Sequence, residues 1–168
     1  MYYHYRKWCI SESWQTCSTE FLKRHKSNFN LSSVDLDGSH TSAIRGGTNI
    51  EYQGRKKRKI TNALYLTDRQ GLPLAMSEPV SGNHNDLYNI EVQFEIVTNT
   101  LEDANIPIKG LFPNADAGFD SKDFRKCCES KEINANICFN KRNENTDRDD
   151  YFGQKLYSLR YAIERTNA

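Results

Sequence analysis

Asp37, Asp116 and Glu164 are the residues of this 168-residue chain whose placement could do chemistry together. Asp37 closes the alternating run Val34-Asp35-Leu36-Asp37, and Asp116 closes an apolar run that begins at Leu111. Glu164 ends the spacing Tyr157-x2-Arg160-x3-Glu164. Helical residues three and four apart share a face, so these three line one side of the last segment, each one residue past the apolar positions Leu156, Leu159 and Ile163. An isolated Arg–Glu pair at four-residue spacing is ordinarily a surface ion pair worth ~0.3–0.5 kcal/mol. The other two carboxylates change that reading. Strand ends in an α/β sheet are where sites form. If the strands carrying Asp37 and Asp116 are neighbours, their carboxylates converge, and Glu164 closes a set of oxygen ligands suited to hard Mg²⁺ or Mn²⁺. Like charges that close require a cation.

The elements that must position these groups follow from periodicity. From Leu31 the apolar period is two, which predicts a strand with Asp35 and Asp37 on one face, ended by Asp37-Gly38. Runs over 60–67 and 72–80 flank Asp68-Arg69-Gln70-Gly71, the pattern of an antiparallel hairpin. Leu87, Ile90, Phe94, Val97 and Leu101 form the stripe of an amphipathic helix that stops before Pro107, with Asn85 or Asp86 as N-cap. A buried strand over 111–116, a helix over 121–131 capped by Asp120 or Ser121, and a strand over 133–139 follow. The polar stretch 141–150 predicts a surface loop, and Asp149 and Asp150 then open a closing helix whose core stripe is Phe152, Leu156, Leu159 and Ile163. This order predicts an α/β fold with a mixed five-stranded sheet flanked by helices. The first thirty residues predict short helical pieces with too little apolar surface to fold alone.

Composition bounds the rest. With 37% hydrophobic and 27% charged residues, the chain falls in the ordinary globular range, and no apolar run approaches the ~20 residues that span a bilayer. Lacking a signal-peptide pattern, it is expected to be cytoplasmic, with no membrane partner. Five cysteines without a CxxC pair predict reduced thiols, and the spacing of His4, Cys9, Cys17 and His25 fits no common zinc finger. The net charge of +1 is uninformative, but Arg55, Lys56, Lys57, Arg58 and Lys59 are consecutive, and Arg6, Lys7, Lys23, Arg24, His25 and Lys26 form a second basic group. Each is a solvated face or a phosphate contact.

Longer motifs carry a resemblance. Leu36-Asp37-Gly38-Ser39-His40-Thr41, Gly54-Arg55-Lys56-Lys57, the run 61–74, Gly82-Asn83-His84-Asn85-Asp86, the run 115–120 and the run 160–168 together resemble insertion-sequence transposases of the DDE class, in the branch with the Tyr-x2-Arg-x3-Glu signature. The resemblance covers nearly everything from Leu31 onward. It implies a ribonuclease H-like fold, with Asp37 as the first catalytic aspartate, Asp116 as the second and Glu164 as the glutamate. Asp35 and Asp120 are rival assignments. Asp35 lies about two rises, ~7 Å, further from the strand end, and Asp120 is more economically a helix cap.

The resemblance implies two Mg²⁺ (or Mn²⁺) ions ~3.5–4 Å apart, sharing Asp37 and completed by Asp116 and Glu164, one activating a nucleophile and the other steadying the leaving oxygen. The implied reaction is hydrolysis at the end of a mobile element, then attack of the freed 3′-hydroxyl on target DNA. The implied partners are double-stranded DNA, both element ends and target, and a second subunit in a homodimeric active complex. Arg160 would neutralise phosphate or orient Glu164, Tyr157 would contact backbone or phosphate, and Arg55, Lys56 and Lys57 would clamp the DNA backbone. His84 is either a phosphate contact or part of a capping loop, the latter favoured. The branch's signature extends to a lysine seven residues after the glutamate, and its upstream helical domain is larger. Residues 1–30 are therefore expected to be a remnant of an N-terminal DNA-binding region, and residues 31–168 a catalytic domain truncated at its C-terminal end. A catalytically inactive DNA-binding or subunit-interaction remnant is the alternative function.

Overall fold

A computed structural model of the chain describes residues 2–43, 48–143 and 151–166. Strand β1 runs Val34–Ser42 and pairs antiparallel with β3, Arg58–Asp68, from Val34 opposite Asp68 to Ser42 opposite Ile60. Asp37-Gly38 therefore does not end the first strand. Gly38 lets the strand continue under a close neighbour, because a Cβ at that position would collide with the Asp86 carboxylate. Strand β2, Glu51–Gln53, pairs with the start of β3, a hairpin that periodicity did not predict. The expected hairpin across Asp68-Arg69-Gln70-Gly71 is present, but its return half is split into β4, Pro73–Met76, and β5, Val80–Ser81. Between them the Ser77 hydroxyl accepts the Leu64 amide at 2.9 Å, standing in for a strand carbonyl.

Strand β6, Pro113–Ala115, lies parallel to β1, and β7, Asn136–Ile137, lies parallel to β6. The order β2-β3-β1-β6-β7, with β4 and β5 on β3, is a mixed sheet of seven strands where five were expected. Helices α3, Ile90–Asp103, and α4, Lys122–Ser130, flank it, which gives the expected α/β architecture of a mixed sheet covered by helices. Val34, Leu36, Leu64 and Leu66 join Phe94, Val97 and Leu101 of α3 and Phe119 and Phe124 in one core. Phe94 and Phe124 meet edge to face at 5.0 Å.

Two boundaries differ from expectation, and one open choice of cap is decided. Helix α3 begins at Ile90 after Asn89, rather than at Asn85 or Asp86, because Asp86 accepts a hydrogen bond from Asn62 instead of capping. Ser121, not Asp120, caps α4 by accepting the Phe124 amide. The strand expected over 133–139 shrinks to two residues, since Ile133 and Asn134 donate to Cys128 and Leu111 and Asn140 donates to Asp120. Helices α1, Tyr2–Ile10, and α2, Ser13–His25, are the expected short pieces; they expose Tyr3, Trp8, Trp14 and Phe21, and Leu22 is the buried residue of α2. Among the described residues no helix is long and apolar enough to cross a membrane.

The last segment crosses the other face of the sheet. It comprises α5, Gln154–Tyr157, a 3₁₀ turn at Ser158–Arg160, and α6, Tyr161–Thr166. The expected opening of this helix at Asp149 and Asp150 lies outside the described residues. The Ser158 hydroxyl donates to the Lys155 carbonyl at 2.7 Å, in keeping with a tightened middle turn. Its start is fixed by a row of buried polar groups crossing three strands. Asn114 donates to Asp35 at 2.9 Å, Asn136 donates to Asn114 at 2.8 Å, and Gly153 donates its amide to Asn136 at 2.7 Å. Downstream, Ile163 is fully buried and Thr166 donates to the Gly71 carbonyl at 2.6 Å.

Replacing Asn136 by Leu strips Gly153 and Asn114 of partners in a dry interior, where each orphaned group costs ~1–3 kcal/mol. The variant should lose about 2–4 kcal/mol in denaturant unfolding. Amide exchange should rise selectively across 153–166 before the central strands are affected.

Candidate active site

Continuing the parallel register of Val34 beside Pro113 and Asp35 beside Asn114 sets Asp37 beside Asp116. Asp37 thus stands on β1 and Asp116 one residue past the neighbouring β6, the neighbour relation of strands that their convergence requires. Alternation turns Asp35 and Asp37 to the face crossed by α5 and α6. Asp37 lies inside its strand, not at its end. Asp116 sits just past β6, where one of its oxygens accepts the Gly118 amide at 2.7 Å and caps the 3₁₀ turn at Ala117–Phe119.

Arg160 ties the last segment to this pair. Its Nη2 lies 3.0 Å from Asp37 and its Nη1 3.3 Å from Glu164, the four-residue pair expected from the spacing. The Arg160 side chain is 12% exposed and that of Asp37 16%, whereas that of Glu164 is 61% exposed. The Tyr157 ring lies 6.0 Å from the guanidinium and packs on Phe152 at 5.3 Å, so it shields Arg160 from water. Asp37, Asp116 and Glu164 all act electrostatically on Arg160. The structure therefore gathers Asp37, Asp116, Tyr157, Arg160 and Glu164.

Several carboxylates act on one another here. Burial pushes the Asp37 carboxyl up to about 6, and the negative charges of Glu164, Asp116 and Asp86 add to that, with Arg160 opposing. Although burial works against its charge, Arg160 is pushed above the ordinary arginine range by Asp37, Asp116, Tyr157 and Glu164. Arg160 thus faces several carboxylates whose charges raise the pKa of Asp37, and an added cation would lower that mutual repulsion. The donor set, three carboxylates, fits a hard divalent ion. Among the described residues no three acidic, His or Cys side chains already stand close enough together to hold one.

The rival aspartates have other partners. Asp35 is buried on Asn114, its carboxyl raised by burial despite that hydrogen bond. Asp120 pairs with Arg125 at 2.9 Å and accepts the Asn140 amide, tying α4 to the segment after β7. Sequence reasoning missed Asp86, whose carboxylate rests over Gly38 beside Asp37 and accepts from Asn62 at 2.8 Å. The glycine next to Asp37 was the available signal. It also missed His40, whose Nε2 is buried and has no partner among the described residues, and which burial and the charge of Lys56 push toward the neutral form. His84 stacks on Tyr88 at 3.5 Å within its loop, the structural role favoured for it.

Arg55, Lys56 and Lys57 are not brought to the carboxylates. They form the turn between β2 and β3, seven residues along β3 from Tyr65, the partner of Asp37. At ~3.3 Å per residue this is roughly 23 Å.

No protein-family model and no curated protein matches the chain. Among solved structures it is similar to the Mos1 transposase paired-end complex with the left transposon end, at 16% identity over 89% of this chain and 47% of that one, with a TM-score of 0.43. It is similar also to the Mos1 mariner paired-end complex with Mn, at 12% identity over 86% of this chain and 48% of that one, again with a TM-score of 0.43. The chain spans about half the length of each.

A carboxyl whose pKa rises from 3.8 to about 6 on folding binds protons more tightly in the folded state. It therefore lowers stability as pH climbs from about 4 to 6, by on the order of 3 kcal/mol once both states are ionised. Asp37→Asn should melt above the unsubstituted chain at pH 8, and the difference should vanish toward pH 4. Thermal melts across that range, without metal, measure it.

Proposed function

We propose that this chain carries the catalytic region of a DDE transposase and that it cleaves DNA and joins strands at the site of Asp37, Asp116 and Glu164. The observation that supports this reading best is the convergence of two strand-borne aspartates with the Tyr157-x2-Arg160-x3-Glu164 face of the last segment. Asp37, pushed up to about 6 by burial and by the charges of Glu164 and Asp116, belongs to a set of carboxylates whose repulsion a bound cation would relieve. Two divalent ions would be held by Asp37, Asp116 and Glu164. When bound, they supply the Lewis-acid charge that phosphodiester displacement needs.

The chain's own residues divide the remaining work. Asp37 and Asp116, fixed on adjacent strands, set the position of the reacting phosphate, since displacement at phosphorus depends on alignment. Water attacks the phosphodiester, the bond to the 3′ oxygen breaks, and that oxygen takes up a proton. The resulting 3′-hydroxyl then attacks a target phosphorus and displaces the target's own 3′ oxygen. Glu164, the most exposed of the three, closes the site from the α6 side. Arg160 and Tyr157 offer a guanidinium and a phenol to phosphate oxygens beside the scissile bond. Arg55, Lys56 and Lys57, roughly 23 Å away, meet backbone about two-thirds of a ~34 Å duplex turn from the cut. Duplex DNA is the partner, and a homodimer the working assembly.

Two outcomes are expected. Asp37→Asn, Asp116→Asn and Glu164→Gln should each lower Mg²⁺-dependent nicking and strand transfer by more than the ~10–100-fold typical of losing a metal ligand's hydrogen-bond partner. Circular dichroism should show the fold unchanged, and nicking that survives all three substitutions would refute the assignment; a chain that binds DNA but never cuts it would identify the inactive remnant. Replacing Arg55, Lys56 and Lys57 by Ala should weaken duplex binding and flatten its salt dependence by about 0.9 in log–log slope for each phosphate no longer neutralised.

A further inference from the structure

Arg160 lies between two of the carboxylates that the proposed metal site uses. Its Nη2 lies 3.0 Å from Asp37 Oδ1 and its Nη1 3.3 Å from Glu164 Oε1, so one guanidinium bridges two of the three carboxylates. That bridge is incomplete. Arg160 Nε is buried and, among the described residues, has no hydrogen-bond partner. A buried donor left unmade is costly, and a guanidinium satisfied only through its two terminal nitrogens loses less on leaving than a fully bonded one. The forces that hold it are the charges of Asp37, Asp116, Tyr157 and Glu164. A divalent ion would answer the same carboxylates more strongly, and two cations close together repel.

We propose that Arg160 is a resident counter-cation that plugs the carboxylate cluster, and that divalent metal enters only by displacing its guanidinium from Asp37 and Glu164. The inference rests on the metal site proposed above and adds that Arg160 opposes metal loading rather than assisting it. The ion pairs keep the metal-free cluster from unfavourable like-charge repulsion. Metal entry then releases a guanidinium, and Tyr157 and the tether at Gly153 keep it near the site. Because a phosphate oxyanion is an alternative partner for the released group, metal and phosphate backbone should each favour the binding of the other.

Calorimetric titration of the full chain with Mn²⁺ tests this, using Arg160→Ala, Arg160→Gln and Arg160→Lys beside the unsubstituted protein, with folding verified by circular dichroism. Arg160→Ala and Arg160→Gln should bind Mn²⁺ about tenfold more tightly, and Arg160→Lys, which keeps the charge, should bind as the unsubstituted chain does. In thermal melts the neutral variants should be less stable without metal and gain more on adding it. Unchanged or weaker Mn²⁺ affinity in both neutral variants overturns the plug while leaving the metal site standing. If neither the unsubstituted chain nor any variant binds Mn²⁺, or if Asp37→Asn binds it as well as the unsubstituted chain, the metal site itself is refuted. Should Arg160→Ala fail to fold, the comparison of Arg160→Gln with Arg160→Lys decides.

Discussion

The row of buried polar groups from Asp35 through Asn114 and Asn136 to Gly153 is the constraint on which the site depends. Parallel strands covered on both faces usually fill with apolar side chains, so three consecutive strands that each bury a polar residue in register are costly unless every group finds a partner. Here the partners are one another. The row fixes the lateral register of β1, β6 and β7, since a slip of one residue would turn all three side chains to the wrong face. Register at this row also sets Asp37 beside Asp116 two residues further on. At its far end Asn136 both donates to and accepts from the Gly153 backbone, so the same interaction that aligns the strands fixes where the last segment starts.

From that start the geometry of Arg160 and Glu164 follows. Seven residues separate Gly153 from Arg160, about two helical turns, which returns the guanidinium to the sheet face from which the segment departs. Ile163 buried against the sheet and Thr166 bonded to Gly71 hold the far end. The site is thus shared between a rigid part and a tethered one. Asp37 and Asp116 ride on or just past strands whose backbones are paired, while Glu164 is mostly exposed on a short helix held at three points. In the metal site proposed above, carboxylates divided in this way would tighten around a cation, because the glutamate can move without disturbing the strands.

Sequence made the convergence legible because its components are short-range or periodic. Alternation put Asp35 and Asp37 on one face, and the three- and four-residue steps put Tyr157, Arg160 and Glu164 on another. It did not reveal that Gly38 continues β1, because Asp-Gly is ordinarily a turn signal. The reason for the exception is tertiary, the Asp86 carboxylate lying where a Cβ would be. For the same reason Asp86 was expected as a helix cap, when its acceptor is taken by Asn62 from a strand 24 residues away. Asn136 was visible only as one of several polar residues alternating with Ile133, Ala135 and Ile137. Burial of that polar face depends on a segment that crosses it much later in the chain.

Asp37 shows what such a site demands of the fold. A carboxylate 16% exposed and acted on by three others is pushed toward its neutral form, and Arg160, which opposes them, has a buried Nε with no partner among the described residues. Neither group is placed for stability. Apolar packing of α3 and α4 on the opposite face, with Phe94, Phe119 and Phe124 fully buried, offsets that strain without touching the site. The division of faces explains why the two can coexist: one side of β1, through Val34 and Leu36, supplies the core, and the other, through Asp35 and Asp37, carries the buried carboxylates. A single strand read at period two carries both.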